Sequence, residues 1–340
     1  MTERAYDPGR RAFLAVLAGA AAAALAGCES SSGPRASSGG AGSAVGTASG
    51  PTASASASPS ASSAGQALPA STRWMARSGD VEPQVKALAT AVVQAVATWP
   101  SGGAGPAAAR RRVASLGQDP ALADACAPLL GTQTAASSRV VDAQYGGILT
   151  STASVLVVLD QWRLGSDGVV SPGGTTLDVR LARSTSGRWS VVDVFPAKPG
   201  AAATTPPALA REVLADARIR LPYAARADVA TGAISTSVLR TLLAMAQSWL
   251  VDVSVVRSGH PYYVFGTTRR SDHPKGHAVD VWALDGDPLV LPAHHSLAAS
   301  GMRLAVAHGA YNVGGPVLLS GPQYFSDRTH QDHIHLGFRS

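Results

Sequence analysis

From Glu29 to about Ser71 the chain is almost wholly Ser, Gly, Ala, Pro and Thr, and this tract limits what the protein can fold into. It holds almost nothing large enough to bury, so it cannot offset the entropy lost on ordering and reads as a disordered tether, assigned to residues 29–74. About 43 residues of flexible chain span roughly 35 to 40 Å on average. Any core in this 340-residue protein has to come from residues beyond the tether.

Ahead of the tether lies a segment with the pattern of an export signal. Arg10 and Arg11 precede an uncharged stretch from Phe13 to Gly27, long enough for the apolar part of a signal peptide and too short for a comfortable membrane span. Leu25, Ala26 and Gly27 directly before Cys28 resemble a bacterial lipobox. That resemblance implies a lipoprotein signal over residues 1–28, lipidation at Cys28 and residence on the extracytoplasmic face of a bacterial plasma membrane. The run from Gly9 to Leu14 also resembles a twin-arginine export signal. With Cys28 lipidated, only Cys126 remains and no intrachain disulfide can form. Cys126 sits in an apolar, helix-like stretch and is expected to be a buried small hydrophobe. The signal carries Arg4, Arg10 and Arg11 against Glu3 and Asp7, so its removal changes the formal charge from +6 to +5. That modest excess suits contact with anionic lipid or wall polymer. Nucleic acid is not an expected partner, because the basic residues are scattered and lack the interleaved aromatics of a single-strand platform.

Structure is expected to resume near Asp80, a candidate cap for a helix with Pro83 in its first turn and Val85, Leu88, Val92, Val96 and Trp99 at helical spacing. Shorter helices are expected over 107–116 and 120–130. The period then changes to two, predicting strands over 138–145, 153–164, 175–182 and 188–195, with turns at Gly146-Gly147, Pro172-Gly173-Gly174 and Ser186-Gly187. Helices followed by a meander of long strands predict an α+β accessory domain over 75–197. The order resembles NTF2-like or cystatin-like cone folds, and the accessory domain is expected to scaffold or to dock an envelope protein. A linker over 198–206 leads to a second α+β domain over 207–340, with helices near 208–218, after Ser235 and over 296–308, and a strand over 251–257.

All nine histidines lie between His260 and His335. His273, Asp280 and His335 come from separate strings and can supply the imidazoles and carboxylate that a zinc ion takes. In a strand of period two, His333 and His335 share one face while Ile334, Leu336 and Phe338 pack on the other. The same alternation puts Ala278, Asp280 and Trp282 on one side of the strand that follows Gly276.

Ser271, His273, Gly276, Ala278 and Asp280, followed some fifty residues later by His333 and His335, resemble the motif set of the LAS metallopeptidases, the superfamily of lysostaphin, the D-alanyl-D-alanine metallopeptidases and sonic hedgehog. The likeness covers 207–340. It implies Zn2+ held by His273, Asp280 and His335, with His333 as catalytic neighbour. The added His330 is similar to the zinc D-Ala-D-Ala carboxypeptidase and penicillin-insensitive murein endopeptidase branches. Some branches use a glutamate base, but no glutamate follows Glu212, so the base is a histidine or an aspartate. His333 is favoured over Asp332, which points the other way in a regular strand. Ser271, His330 and Asp332 are candidate supporting residues, and Asp272, Asp327 and Asp332 are candidate acceptors for ligand imidazoles. Arg257, Arg269 and Arg270 are candidates for substrate contact, while His277, His294, His295 and His308 read as bystanders.

The expectation is a membrane-anchored zinc metallopeptidase that hydrolyses amide bonds of peptidoglycan stem peptides, of D,D-carboxypeptidase or endopeptidase type. The alternative is a catalytically silent zinc-containing module that binds wall or protein, since such a fold can keep its metal while serving recognition.

Overall fold

A computed structural model describes residues 67–339. The signal, Cys28 and the tether up to residue 66 lie outside the described residues. Among the described residues, no helix is long and apolar enough to cross a membrane.

The described residues form a mixed α+β fold with two sheets, each with its own apolar cluster. In the amino-terminal half, α1 (Pro83–Ala97), α2 (Pro106–Ser115) and the single turn α3 (Leu122–Ala125) precede β1 (Ala135–Ile148), β2 (Thr152–Leu164), β3 (Val170–Arg183) and β4 (Trp189–Pro196). These strands form an antiparallel meander in the order β1-β2-β3-β4, leaving β1 on an edge. Alternation along β2 sends Val155, Val157 and Leu159 into the cluster under α1. Leu156 and Val158, on the opposite face, are buried as well. Both faces of this sheet are therefore covered, which is why β2 reads as an unbroken apolar run.

The second face is covered by the carboxy-terminal half. It contains α4 (Ala208–Ala215), β5 (Ile219–Arg220), α5 (Tyr223–Ala230), α6 (Thr236–Ala246), β6 (Val251–Val255), β7 (Ala278–Leu284), β8 (Asp287–Pro288), α7 (His295–Ala307), β9 (Asn312–Gly314), β10 (Tyr324–Phe325) and β11 (Ile334–Gly337). Its sheet runs β10-β9-β11-β7-β6-β5, with β8 added to β7. Ser235 caps α6 by accepting from the Val238 amide, and Val238, Leu242 and Met245 pack into the core beneath. Val279, Val281, Ile334, Leu336 and Phe338 face that same core, each contributing about 1.5 to 3 kcal/mol through burial. The described residues lie in one compact unit, with α5 lying against β3 and Arg77 of the amino-terminal half stacking 4.8 Å from the Trp282 ring of β7.

Several local expectations change. Gly146 and Gly147 do not turn the chain but continue β1. The register shifts between Tyr145 and Gly147, a bulge that keeps both Tyr145 and Ile148 on the core side. A Cβ on Gly147 would lie 2.1 Å from the Phe265 Cβ, so the glycine admits the loop after β6 close to the strand. Pro172, Gly173 and Gly174 lie inside β3, and the reversal comes earlier, where the Gly168 amide donates to the Gly165 carbonyl. Asp80 does not cap α1; it accepts from the Arg77 amide and from Lys86. The packed chain begins before residue 75, since Trp74 joins the amino-terminal cluster.

Candidate metal centre

Strand register builds the site. In the antiparallel pairing of β11 with β7, His335 lies directly opposite Asp280, so two side chains on one face are brought together. His273 arrives from a 3-10 turn, His273–Lys275, that ends at Gly276 with φ of +74°. A Cβ at Gly276 would sit 2.3 Å from the Ala233 carbonyl oxygen, so both the dihedral and the space require glycine.

Three atoms converge there. His273 Nε2 is 3.1 Å from Asp280 Oδ1 and 3.2 Å from His335 Nδ1, and His335 Nδ1 is 3.0 Å from Asp280 Oδ1. All three residues are buried. His273 Nδ1 donates to the Val256 carbonyl at 2.8 Å, which orients the ring so that Nε2 points at the other two atoms. A triangle of about 3.3 Å edge is one face of a tetrahedron with bonds of about 2.0 to 2.1 Å, so this set fits a small divalent cation.

His260 is a further neighbour. Its ring, His273 and Asp280 offer ligand atoms within 4.8 Å of one another, a group that could hold a metal ion. The His260 ring stacks on His273 with centroids 4.0 Å apart and planes 17° apart, and its Nδ1 donates to the Pro261 carbonyl at 2.9 Å. Imidazole lone pairs lie in the ring plane. Two stacked rings cannot both aim at one ion, so His335 completes the triangle better than His260 does.

Around this triangle the charges are arranged in layers. Burial pushes His335 down from its ordinary value to about 4, with His273 and His330 adding to the effect against Asp280. Burial opposes ionisation of Asp280 too, but His273 and His333 outweigh it and hold the carboxyl well below its usual range. His333 Nδ1 donates to Asp332 Oδ1 at 2.6 Å, which leaves Nε2 as the free lone pair. Burial favours neutral His333, yet Asp280 and Asp332 together raise its pKa. Asp332 Oδ2 accepts from the Tyr145 amide at 3.0 Å and pairs with Lys86 Nζ at 2.6 Å. Against burial, Lys86 and His333 bring the Asp332 carboxyl down to about 2.

Asp332 thus orients His333, and the reason lies in the backbone. β11 begins at Ile334, and Asp332 ends a 3-10 turn, so strand alternation does not govern its direction. Asp327 does the same for His330, accepting from Nδ1 at 2.7 Å. Asp272 instead accepts from Tyr311 and Lys275. Ser271 Oγ accepts from the His273 amide at 3.3 Å.

A cleft of about 410 Å³ opens over His333 and His335. One wall is the end of β1 from Tyr145 to Ile148 with Leu149 after it; Phe265, Phe325, Arg269 and Arg328 line other parts. Arg270 lies over Tyr262 instead, while Tyr262 and Tyr263 are exposed and packed edge to face. His294 bonds to the Pro288 carbonyl, and His295 and His308 mark the ends of α7. No family model, curated protein or solved structure matches the chain. Sequence reasoning misses three contributors to the site: His260, Lys86 and Gln144, whose Nε2 donates to Asp280 Oδ2 at 2.6 Å. Lys86 has a faint signal, because Lys86, Thr90, Val93 and Ala97 continue a buried stripe along α1.

Proposed function

We propose that residues 207–340 are a LAS-type zinc metallopeptidase that hydrolyses amide bonds in peptidoglycan peptides, carried on a lipid-anchored chain outside the plasma membrane. The observation that supports it most is the triangle of His273 Nε2, Asp280 Oδ1 and His335 Nδ1 beside a histidine whose other nitrogen is held by a buried carboxylate. Held by His273, Asp280 and His335, Zn2+ would polarise the scissile carbonyl and acidify the attacking water. His333 Nε2 takes a proton from that water and returns one to the leaving amine, so that amide and water become carboxylate and amine. Asp332 keeps the ring in the tautomer with Nε2 bare and stabilises the imidazolium. Arg269 and Arg328 at the cleft suit an acidic peptide substrate. The cone-fold resemblance of the amino-terminal half is part of the same proposal.

The test is mass spectrometry of muropeptides before and after incubation with the full chain. A new carboxylate and amine pair that EDTA suppresses is expected, and the product mass identifies the bond. Demonstrable zinc binding without cleavage of any stem peptide would leave a binding module instead of an enzyme.

A further inference from the structure

Gln144 projects from β1 on the face opposite Ala143 and Tyr145, which pack under α1. It is fully buried, and its Nε2 donates to Asp280 Oδ2 at 2.6 Å, across 136 residues of sequence. The direction of the amide is chemically fixed: turning Oε1 toward a carboxylate would set two acceptors against each other. Its Oε1 in turn accepts the hydroxyl proton of Ser254 on β6. Asp280 therefore has one oxygen on His273 and His335 and the other held by the amino-terminal sheet.

We infer that Gln144 is a positioning residue for the metal centre, holding Asp280 as a one-oxygen ligand, so that the amino-terminal sheet is a structural part of that centre. This rests on the metal reading proposed above. Three other contacts bring β1, and α1 with it, onto the site: Lys86 on Asp332, the Tyr145 amide on Asp332 and the Ile148 amide on Thr329. A ligand carboxylate with one oxygen occupied can offer only the other, which keeps the coordination number low. Losing the donor frees the second oxygen and lets the carboxylate rotate. Outer partners of this kind change metal affinity by about 10- to 100-fold.

The experiment compares wild type and Gln144→Met in the metal-free full chain. Methionine keeps the volume, and Ser254 Oγ can turn to the Asp280 carbonyl, 3.2 Å away, so no buried hydroxyl is stranded. Zn2+ affinity is read by competition with a chromogenic chelator, and Co2+ coordination by visible absorption. The variant should bind Zn2+ about 10- to 100-fold more weakly, with a weaker Co2+ absorption as coordination rises above four, while the metal-free protein stays folded at a lower melting temperature, because Asp280 Oδ2 loses its donor. Undiminished affinity beside a normal wild type overturns the inference alone. A wild type that binds neither ion overturns the metal reading and this inference with it. If Gln144→Met does not fold, Ser254→Ala carries the test, because it deletes the hydroxyl that orients Gln144 and, besides that, a 3.2 Å contact to the Asp280 carbonyl: a several-fold loss of affinity supports the inference and none refutes it.

Discussion

Replacing Lys86 with methionine removes the one ammonium that both Asp80 and Asp332 face. Lys86 and Asp80 have fully buried side chains and Asp332 is only 4% exposed, so the remaining carboxylates cannot turn to water. Asp332 is held at about 2 against an ordinary 3.8. At about 1.4 kcal/mol per pKa unit this corresponds to roughly 2 to 3 kcal/mol. Removing one partner of a buried pair costs about 3 to 5 kcal/mol in general, and because Asp80 keeps the Arg77 amide and Asp332 keeps the Tyr145 amide and His333, the loss for Lys86→Met should fall at the lower end of that range. The sign follows from a depressed folded pKa: the wild-type contribution is complete above about pH 4 and is lost as pH falls towards 2. In the variant only His333 still opposes the effect of burial, so Asp332 protonates at a higher pH than in wild type and the deficit narrows as pH falls. Urea unfolding at several pH values measures both features. Adding Asp332→Asn to Lys86→Met should recover at least about 1.5 kcal/mol at pH 7, because the two changes share one interaction. A variant within 1 kcal/mol of wild type at pH 7, or no recovery in the double variant, would refute the reasoning.

Other consequences are direct. His335→Ala should abolish stoichiometric zinc in elemental analysis, whereas His333→Ala should keep the metal and lose about 10²- to 10⁴-fold in kcat; the reverse pattern would exchange their roles. Gly147→Ala should cost about 1 to 3 kcal/mol in urea unfolding, because the new methyl collides with Phe265. An unchanged midpoint would show that the loop yields freely. Burial pushes the Cys126 thiol up to about 12, so a Cys28→Ser chain should resist iodoacetamide at pH 8 when folded and react fully in urea. Labelling in native buffer would contradict the burial of Cys126.

The sequence was most legible where one physical rule acted alone. Period two located β2, β7 and β11, and it put His335 on the face opposite Leu336, which the register with Asp280 bears out. It misled at Gly146 and Gly147, where glycines that read as a turn serve the close approach of Phe265 within a strand. It misled again at Asp332, treated as a strand residue although the strand starts two positions later. α5 escaped notice because its alanine-rich sequence carries little amphipathic pattern. Gln144 and Lys86 were beyond reach for a deeper reason. Their partners lie 136 and 246 residues away, and local periodicity does not say which second surface a buried face will meet. A hint lay in β2, whose continuous run from Val155 to Leu159 signals burial on both faces and hence a layer on each side.

The claim that most depends on geometry is the identity of the three ligands, and anomalous diffraction at the zinc edge from crystals of the zinc-soaked protein addresses it directly. One peak is expected, about 2.0 to 2.2 Å from His273 Nε2, Asp280 Oδ1 and His335 Nδ1. No peak at that triangle, or a peak bound by His260 in place of His335, would contradict the account.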